Sequence, residues 1–262
     1  MSSDRSLEGV TILVTRPREQ AGDLVGLLEE RGAEVLDAPT IAIGPGDGAA
    51  LDRVAGELVE RRYRWVVVTS VNGVRAIADA LGRIGQRWPA VEARVGAIGE
   101  KTARAVREEG GRADLVPSPY TSEALAEAFP SGAGRVLLAR ADVAPAGLEE
   151  ALAAKGWTPT RVEAYRTTPV EVPAEIRRRI AEGRVDAVTF ASASAVDGFM
   201  AGVPAARPGP ARVVCIGPVT AGRARDLGFR VDAVAHPHTI EGLVSALEDL
   251  FATRPPTEGS AP

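Results

Sequence analysis

Laid upon itself, the chain repeats in the order A, B, A, B, and no other feature constrains its fold as much. Unit A, TILVTRPREQAGDLVGLLEERGAEVL (Thr11 to Leu36), matches RVLLARADVAPAGLEEALAAKGWTPT (Arg135 to Thr160) without a gap. Arg16 falls on Arg140, Leu24 on Leu148, Leu28 on Leu152 and Gly32 on Gly156. Unit B begins WVVVTSVNGVRA (Trp65 to Ala76) and recurs as AVTFASASAVDG (Ala187 to Gly198), setting Ser70 on Ser192 and Asn72 on Ser194. It continues from Val95 to Phe129 and again from Val213 to Leu247, pairing Gly99 with Gly217, Thr102 with Thr220 and Thr121 with Thr239.

Each unit alternates a short β-branched run, bounded by Gly, Ser or Thr, with a helical pattern of ten or more residues. That is the signature of βα repeats building a parallel sheet, so the expected class is α/β, with two similar doubly wound domains. In such sheets ligands gather beyond the carboxyl ends of the strands, where helix N-termini present free N–H groups. The loops to read are therefore Thr15-Arg16, Ser70 to Asn72, Gly99 to Thr102, Arg140, Ser192 to Ser194 and Gly217 to Thr220. They are small, hydroxylated and partly basic, which suits carboxylate or phosphate groups.

Composition narrows the function classes. A chain of 262 residues that is 45% hydrophobic is long enough for two cores. No apolar run approaches the roughly 18 to 20 residues that cross a bilayer, and MSSDRSLEG at the N-terminus lacks a signal-peptide stretch. A cytoplasmic protein without a membrane partner is expected. The net charge of -4 argues against a general nucleic-acid binder. No G-x-x-x-x-G-K-[ST] occurs and GAIGEK has the wrong glycine spacing for a dinucleotide fold, so NAD, FAD and nucleotide triphosphates have little support. His236 and His238 in HPH lack a nearby third ligand, and the matching repeat carries Ser118 and Tyr120 there, so no metal is expected. Cys215, the single cysteine, has no activating partner close in sequence.

The motifs ILVTRP, VVVTSVNGV, VGAIGEKTA with PSPYTSEAL, VEAYRT, VTFASASAV and CIGPVTAGRARDLGF ending in HPHTIEGLV run in this order from about Val10 to Phe251. In that order the sequence resembles the uroporphyrinogen-III synthase family. The resemblance implies two domains joined by a two-stranded β ladder, with the chain crossing between them early. Residues 1–38 and 172–252 would form the first, discontinuous domain and 46–162 the second. Linking strands would run at 39–45 and 163–171, with a disordered tail over 253–262. Leu13 and Val214 should then share one sheet, and Val67 and Leu137 the other.

The resemblance also implies the chemistry. Family members take linear hydroxymethylbilane, lose its terminal hydroxyl as water, and close the ring with inversion of the last pyrrole through a spiro intermediate, without a cofactor. Such a substrate carries eight carboxylates. Arg16, Arg140 and Lys101 are the expected charge partners, and Ser70, Asn72, Gly99, Thr102, Thr121 and Ser122 would bind on one domain. Ser192, Ser194, Gly217, Thr220 and Thr239 would bind on the other. Tyr165 is the catalytic candidate, because a polar aromatic stands in a connector where the other copy has Ile41. It would act as general acid or position the leaving hydroxyl. A monomer is expected, with the preceding bilane-forming enzyme as the partner that hands the substrate over.

Structural readings stand beside these. Thr121 and Thr239 are good helix N-caps, Ser70 and Ser192 can serve the backbone alone, Arg16 and Arg140 can pair locally, and Tyr165 can fill a domain junction. Tyr63 and the tryptophans are assigned to packing. The alternative function is a non-catalytic two-domain small-molecule binding or regulatory module, against which stand the missing export signal and the lack of an appended DNA-binding segment.

Overall fold

The computed structural model describes residues 5–203 and 209–252, so the expected disordered tail lies outside the described residues. Along the chain run β1 (Thr11–Val14), α1 (Arg18–Glu30), β2 (Glu34–Asp37), β3 (Ile41–Pro45), α2 (Gly48–Val59), β4 (Trp65–Val68) and α3 (Val71–Arg83). Then come β5 (Arg94–Ala97), α4 (Glu100–Glu108), α5 (Ser122–Ala128), β6 (Gly134–Ala141), α6 (Gly147–Ala154) and β7 (Trp157–Pro169). The rest are α7 (Ala174–Ala181), β8 (Ala187–Phe190), α8 (Ala193–Gly202), β9 (Arg212–Cys215), α9 (Pro218–Asp226), β10 (Ala233–Val234) and α10 (Ile240–Ala252).

Two sheets result, ordered β10-β9-β8-β1-β2 and β3-β7-β6-β4-β5. Superimposing the repeats explains both orders: β9-β8-β1-β2 of the first corresponds to β5-β4-β6-β7 of the second. Pairing is parallel along both runs. Leu13 and Val214 fall in the first sheet and Val67 and Leu137 in the second, as the crossover requires. The compact units are Met1–Ala42 with Thr168–Pro262, over their described residues, and Ile43–Thr167. Residues 41–45 of the first connector form β3, whereas the second is the end of β7, which continues unbroken from the second sheet through Tyr165 to Pro169 with β3 as its neighbour.

Helices cover both faces of each sheet, which is why WVVV of β4 and AVTF of β8 are buried at every position rather than alternately. In the first unit α1 buries Ala21, Leu24 and Leu28, spaced three and four apart, against Ile12, Val14 and Leu247. On the opposite face Phe190, Phe199 and Phe229 pack as a tilted and edge-on cluster. In the second unit α3 presents Val74, Ile77 and Leu81 to one face, while Trp65, Phe129 and Leu152 fill the other.

Gly198 sits where α8 presses on the backbone after β2. A Cβ there would lie 2.3 Å from the Thr40 carbonyl oxygen and 2.7 Å from Ile41 Cγ2. Backbone cannot yield as a flexible side chain does, so Gly198→Ala should destabilise the first unit by about 1–3 kcal/mol. A denaturation midpoint equal to the parent's would show that α8 can back away at no cost.

In both sheets the chain winds outward in two directions from a central pair, β8 and β1 in one, β4 and β6 in the other. The crevices outside the carboxyl ends of these pairs are the topological switch points where doubly wound sheets hold ligands. Arg16 and Ser192 follow the strands of the first pair; in the second, Ser70 follows β4 and Arg140 is the last residue but one of β6.

Candidate functional site

Tyr165 owes its orientation to a β-bulge. β6 and β7 run in register from Gly134 and Trp157 up to Arg140 and Glu163, but Ala141 then pairs with Tyr165, leaving Ala164 as the extra residue. Strand side chains alternate between faces, so one inserted residue turns Tyr165 to the face already occupied by Val162 and Ala164. All three pack against the core beneath α2, α3 and α4. The backbone is fixed on either side, with Asp142 N–H donating to the Tyr165 carbonyl at 3.1 Å and Thr167 N–H donating to Asp142 Oδ1 at 3.1 Å.

This half-buried phenol is held in its neutral form. Burial pushes its pKa above the ordinary tyrosine value, against the Ser70 hydroxyl and the Arg140 charge, which favour the phenolate, while Asp142 adds to the upward push. Tyr165 therefore stays an O–H donor at neutral pH. Ser70 is the N-cap of α3 and accepts the Gly73 N–H at 3.1 Å. A capping oxygen still has its own hydrogen to give, so Ser70 can donate while it caps. α3 approaches β6 closely because position 73 is glycine, where a Cβ would come within 2.9 Å of the Ala139 carbonyl oxygen.

Arg140 is paired locally, the structural reading that stood beside its expected role. Its Nη1 donates to Glu149 Oε2 at 2.6 Å and to the Pro145 carbonyl at 2.7 Å, and the residue is only 4% exposed. Glu149, on α6, neutralises it, with Arg161 3.8 Å from the other carboxylate oxygen. Arg16 is different. It is buried at the end of β1, and its Nε and Nη1 are sealed from solvent with no acceptor. Burial lowers its pKa, only partly opposed by the charge of Asp23. Beside it Thr15 Oγ1 donates to the Thr189 carbonyl at 2.7 Å and Thr189 Oγ1 to the Leu13 carbonyl at 3.1 Å, stitching the β1–β8 switch together.

The remaining predicted residues sit at helix starts in both units. Ser192, Thr121 and Thr239 cap α8, α5 and α10 by accepting the N–H of Ala195, Ala124 and Gly242, each at 3.1 Å. Asn72, Ser122 and Ser194 lie, partly exposed, in the first turns of α3, α5 and α8. Gly99 and Gly217 are the caps of α4 and α9, where no side-chain hydrogen bond caps the helix. A Cβ at Gly99 would press on Tyr120 at 3.0 Å and one at Gly217 would touch His238 at 3.5 Å. Thr102 and Thr220 are buried in the first turns of α4 and α9, and Lys101 is exposed.

Tyr63 packs as expected, its hydroxyl donating to Glu57 at 2.7 Å and accepting from Arg135, with its pKa pushed up to about 12 by burial and then by Glu57. The Cys215 thiol is also pushed up to about 12 by burial, so it is not a ready nucleophile. Sequence reading missed Glu149, Asp142 and the bulge.

A family model described as uroporphyrinogen-III synthase HemD matches residues 22–245 of this chain. The chain belongs to the uroporphyrinogen-III synthase family. The uroporphyrinogen-III synthase of Synechococcus elongatus is 30% identical over 258 residues, covering 94% of this chain and 97% of that one. The porphyrin biosynthesis protein HemD of Ruminiclostridium josui is 31% identical over 251 residues, and the match spans 94% of this chain but 49% of that longer protein. Among solved structures, a mutant uroporphyrinogen III synthase of Thermus thermophilus has a TM-score of 0.74 at 22% identity, covering 93% of this chain and 99% of that one. The enzyme of Helicobacter pylori has a TM-score of 0.62 at 15% identity, with 92% and 99% covered. These two likenesses carry the fold. As a uroporphyrinogen-III synthase family member the chain is an enzyme of porphyrin biosynthesis, and the non-catalytic alternative falls away.

Proposed function

We propose that this chain closes linear hydroxymethylbilane to uroporphyrinogen III, with loss of water and inversion of the last pyrrole, and that Tyr165 serves the leaving group. The observation that carries the residue assignment is a phenol kept protonated by burial at the β4–β6 switch, turned there by the β6–β7 bulge. Its proton passes to the departing hydroxyl oxygen as the carbon–oxygen bond breaks and water leaves. The carbon left behind is attacked by the substituted carbon of the last pyrrole to give the spiro intermediate. The older carbon–carbon bond at that position then breaks, and the methylene carbon it frees is attacked by the unsubstituted carbon of the same, now inverted, ring. The hydrogen on that carbon leaves as the proton that restores the phenol. No net proton is consumed.

A substrate with many carboxylates is held by donors. The capping hydroxyls of Ser70, Thr121, Ser192 and Thr239 each retain a hydrogen, and the starts of α4 and α9 at Gly99 and Gly217, which have no side-chain cap bond, offer backbone N–H groups. Asn72, Ser122 and Ser194 extend these sites, exposed Lys101 adds charge, and buried Thr102 and Thr220 shape the first turns. Among the described residues no helix is long and apolar enough to cross a membrane. In this proposal the enzyme works as a cytoplasmic monomer that receives its substrate from the bilane-forming enzyme. Freshly generated hydroxymethylbilane, incubated with the protein, oxidised and resolved by isomer, should give the inverted isomer in excess. Recovery of only the uninverted isomer would overturn the proposal.

A further inference from the structure

Arg16 and Arg140 occupy the same position in the two copies of the repeat, yet only one of them is electrically complete. Arg140 has Glu149 and the Pro145 carbonyl. The residues equivalent to those partners in the first copy are Val25 and Ala21, which bear no charge and pack in the core. No other carboxylate replaces them, because among the described residues no hydrogen bond or ion pair reaches the Arg16 guanidinium. Asp23 acts on it only at a distance, as an exposed residue of α1. Arg16 is nevertheless 93% enclosed, since its exposure is 7%, and it stands at the carboxyl end of β1, beside the switch where a doubly wound sheet binds ligands. Nε and Nη1 are sealed without an acceptor, and Nη2 is not among the sealed atoms.

We infer that Arg16 is the seat of an anionic ligand group, a carboxylate, on the first unit, and that Arg140 is its self-neutralised copy rather than a second seat. An enclosed cation without a counter-ion is costly, and native structures hold such groups where something else completes them. Through Nη2, the nitrogen that is not sealed, the guanidinium can give an incoming carboxylate a charge-assisted hydrogen bond. That the carboxylate belongs to the bilane rests on the function proposed above, whereas the seat itself does not.

The test compares the parent with Arg16→Met, Arg16→Lys and Arg140→Met by thermal unfolding, in citrate and in sodium chloride of matched ionic strength. Without citrate, Arg16→Met should melt at or above the parent, because methionine fills similar space without an uncompensated charge, while Arg140→Met should melt below it by stranding Glu149. Citrate should raise the parent's melting temperature saturably. The midpoint of that rise should move to at least about tenfold higher citrate in Arg16→Met, as expected for loss of a charge-assisted bond. Arg16→Lys should fall between, and Arg140→Met should keep the parental midpoint. An unchanged citrate midpoint in Arg16→Met, or a variant that melts below the parent or fails to fold, would overturn the inference. The isomer assay separates the two failures. An Arg16-dependent citrate response without the inverted isomer removes the reaction and keeps the seat, and the converse keeps the reaction and removes the seat.

Discussion

Tyr165→Phe is expected to lower turnover of hydroxymethylbilane by about 100-fold, the low end of what general acid catalysis contributes. The low end is chosen because the bilane loses its hydroxyl and closes even without an enzyme, so the barrier that one donor must lower is modest, and the Ser70 hydroxyl is positioned to substitute in part. Removing one oxygen preserves the ring that packs with Val162 and Ala164, so stability should change by less than about 1.5 kcal/mol. The pH profile gives a second readout. With the phenol's pKa raised above 10.0 by burial, the parent's rate should show no tyrosine-dependent decline through neutral pH and should fall only above that value. The phenylalanine variant should lack this alkaline limb. A folded Tyr165→Phe protein with the parental rate would leave Tyr165 with a packing role alone.

Glu149→Ala should cost the second unit about 3–5 kcal/mol, the range found when one partner of an enclosed ion pair is removed. Arg140 is only 4% exposed and its Nε already lacks an acceptor, so losing the 2.6 Å contact to Glu149 would leave a guanidinium bonded to the Pro145 carbonyl alone. Arg161, 3.8 Å from the same carboxylate, would lose its partner as well, though it is more exposed and matters less. Glu149→Gln keeps an acceptor oxygen and should fall between parent and alanine. Urea unfolding of the three proteins provides the measurement, and a loss under about 1 kcal/mol for alanine would mean that water reaches Arg140 readily.

Much of this architecture is legible in the chain because the repeat encodes it twice. The spacing of Leu24 and Leu28, mirrored by Leu148 and Leu152, places α1 and α6, and the hydroxyls at Ser70, Ser192, Thr121 and Thr239 announce helix starts that the structure confirms as caps. The crossover was readable only through the resemblance, since strand order within a sheet depends on contacts between distant segments that local pattern does not report. The fate of Arg16 and Arg140 was not readable at all. An aligned pair suggests equal roles, but charge compensation is decided by a side chain nine residues further on, Glu149 in one copy and Val25 in the other. The bulge at Ala164 leaves no mark in VEAYRTTP either, because alternation on a half-covered strand is too weak to show a one-residue slip.

The position of β1 inside its sheet also bears on how the protein is made. Its neighbour β8 leaves the ribosome roughly 170 residues after β1 does, which at ordinary rates of synthesis is about 10 to 35 seconds. By the end of that interval the second unit has been synthesised in full, while an apolar strand whose Ile12, Leu13 and Val14 will be fully enclosed has only β2 and α1 for cover. The nascent chain therefore carries an unfinished sheet edge tethered to a finished neighbour, and the first unit closes only when the last third of the chain arrives.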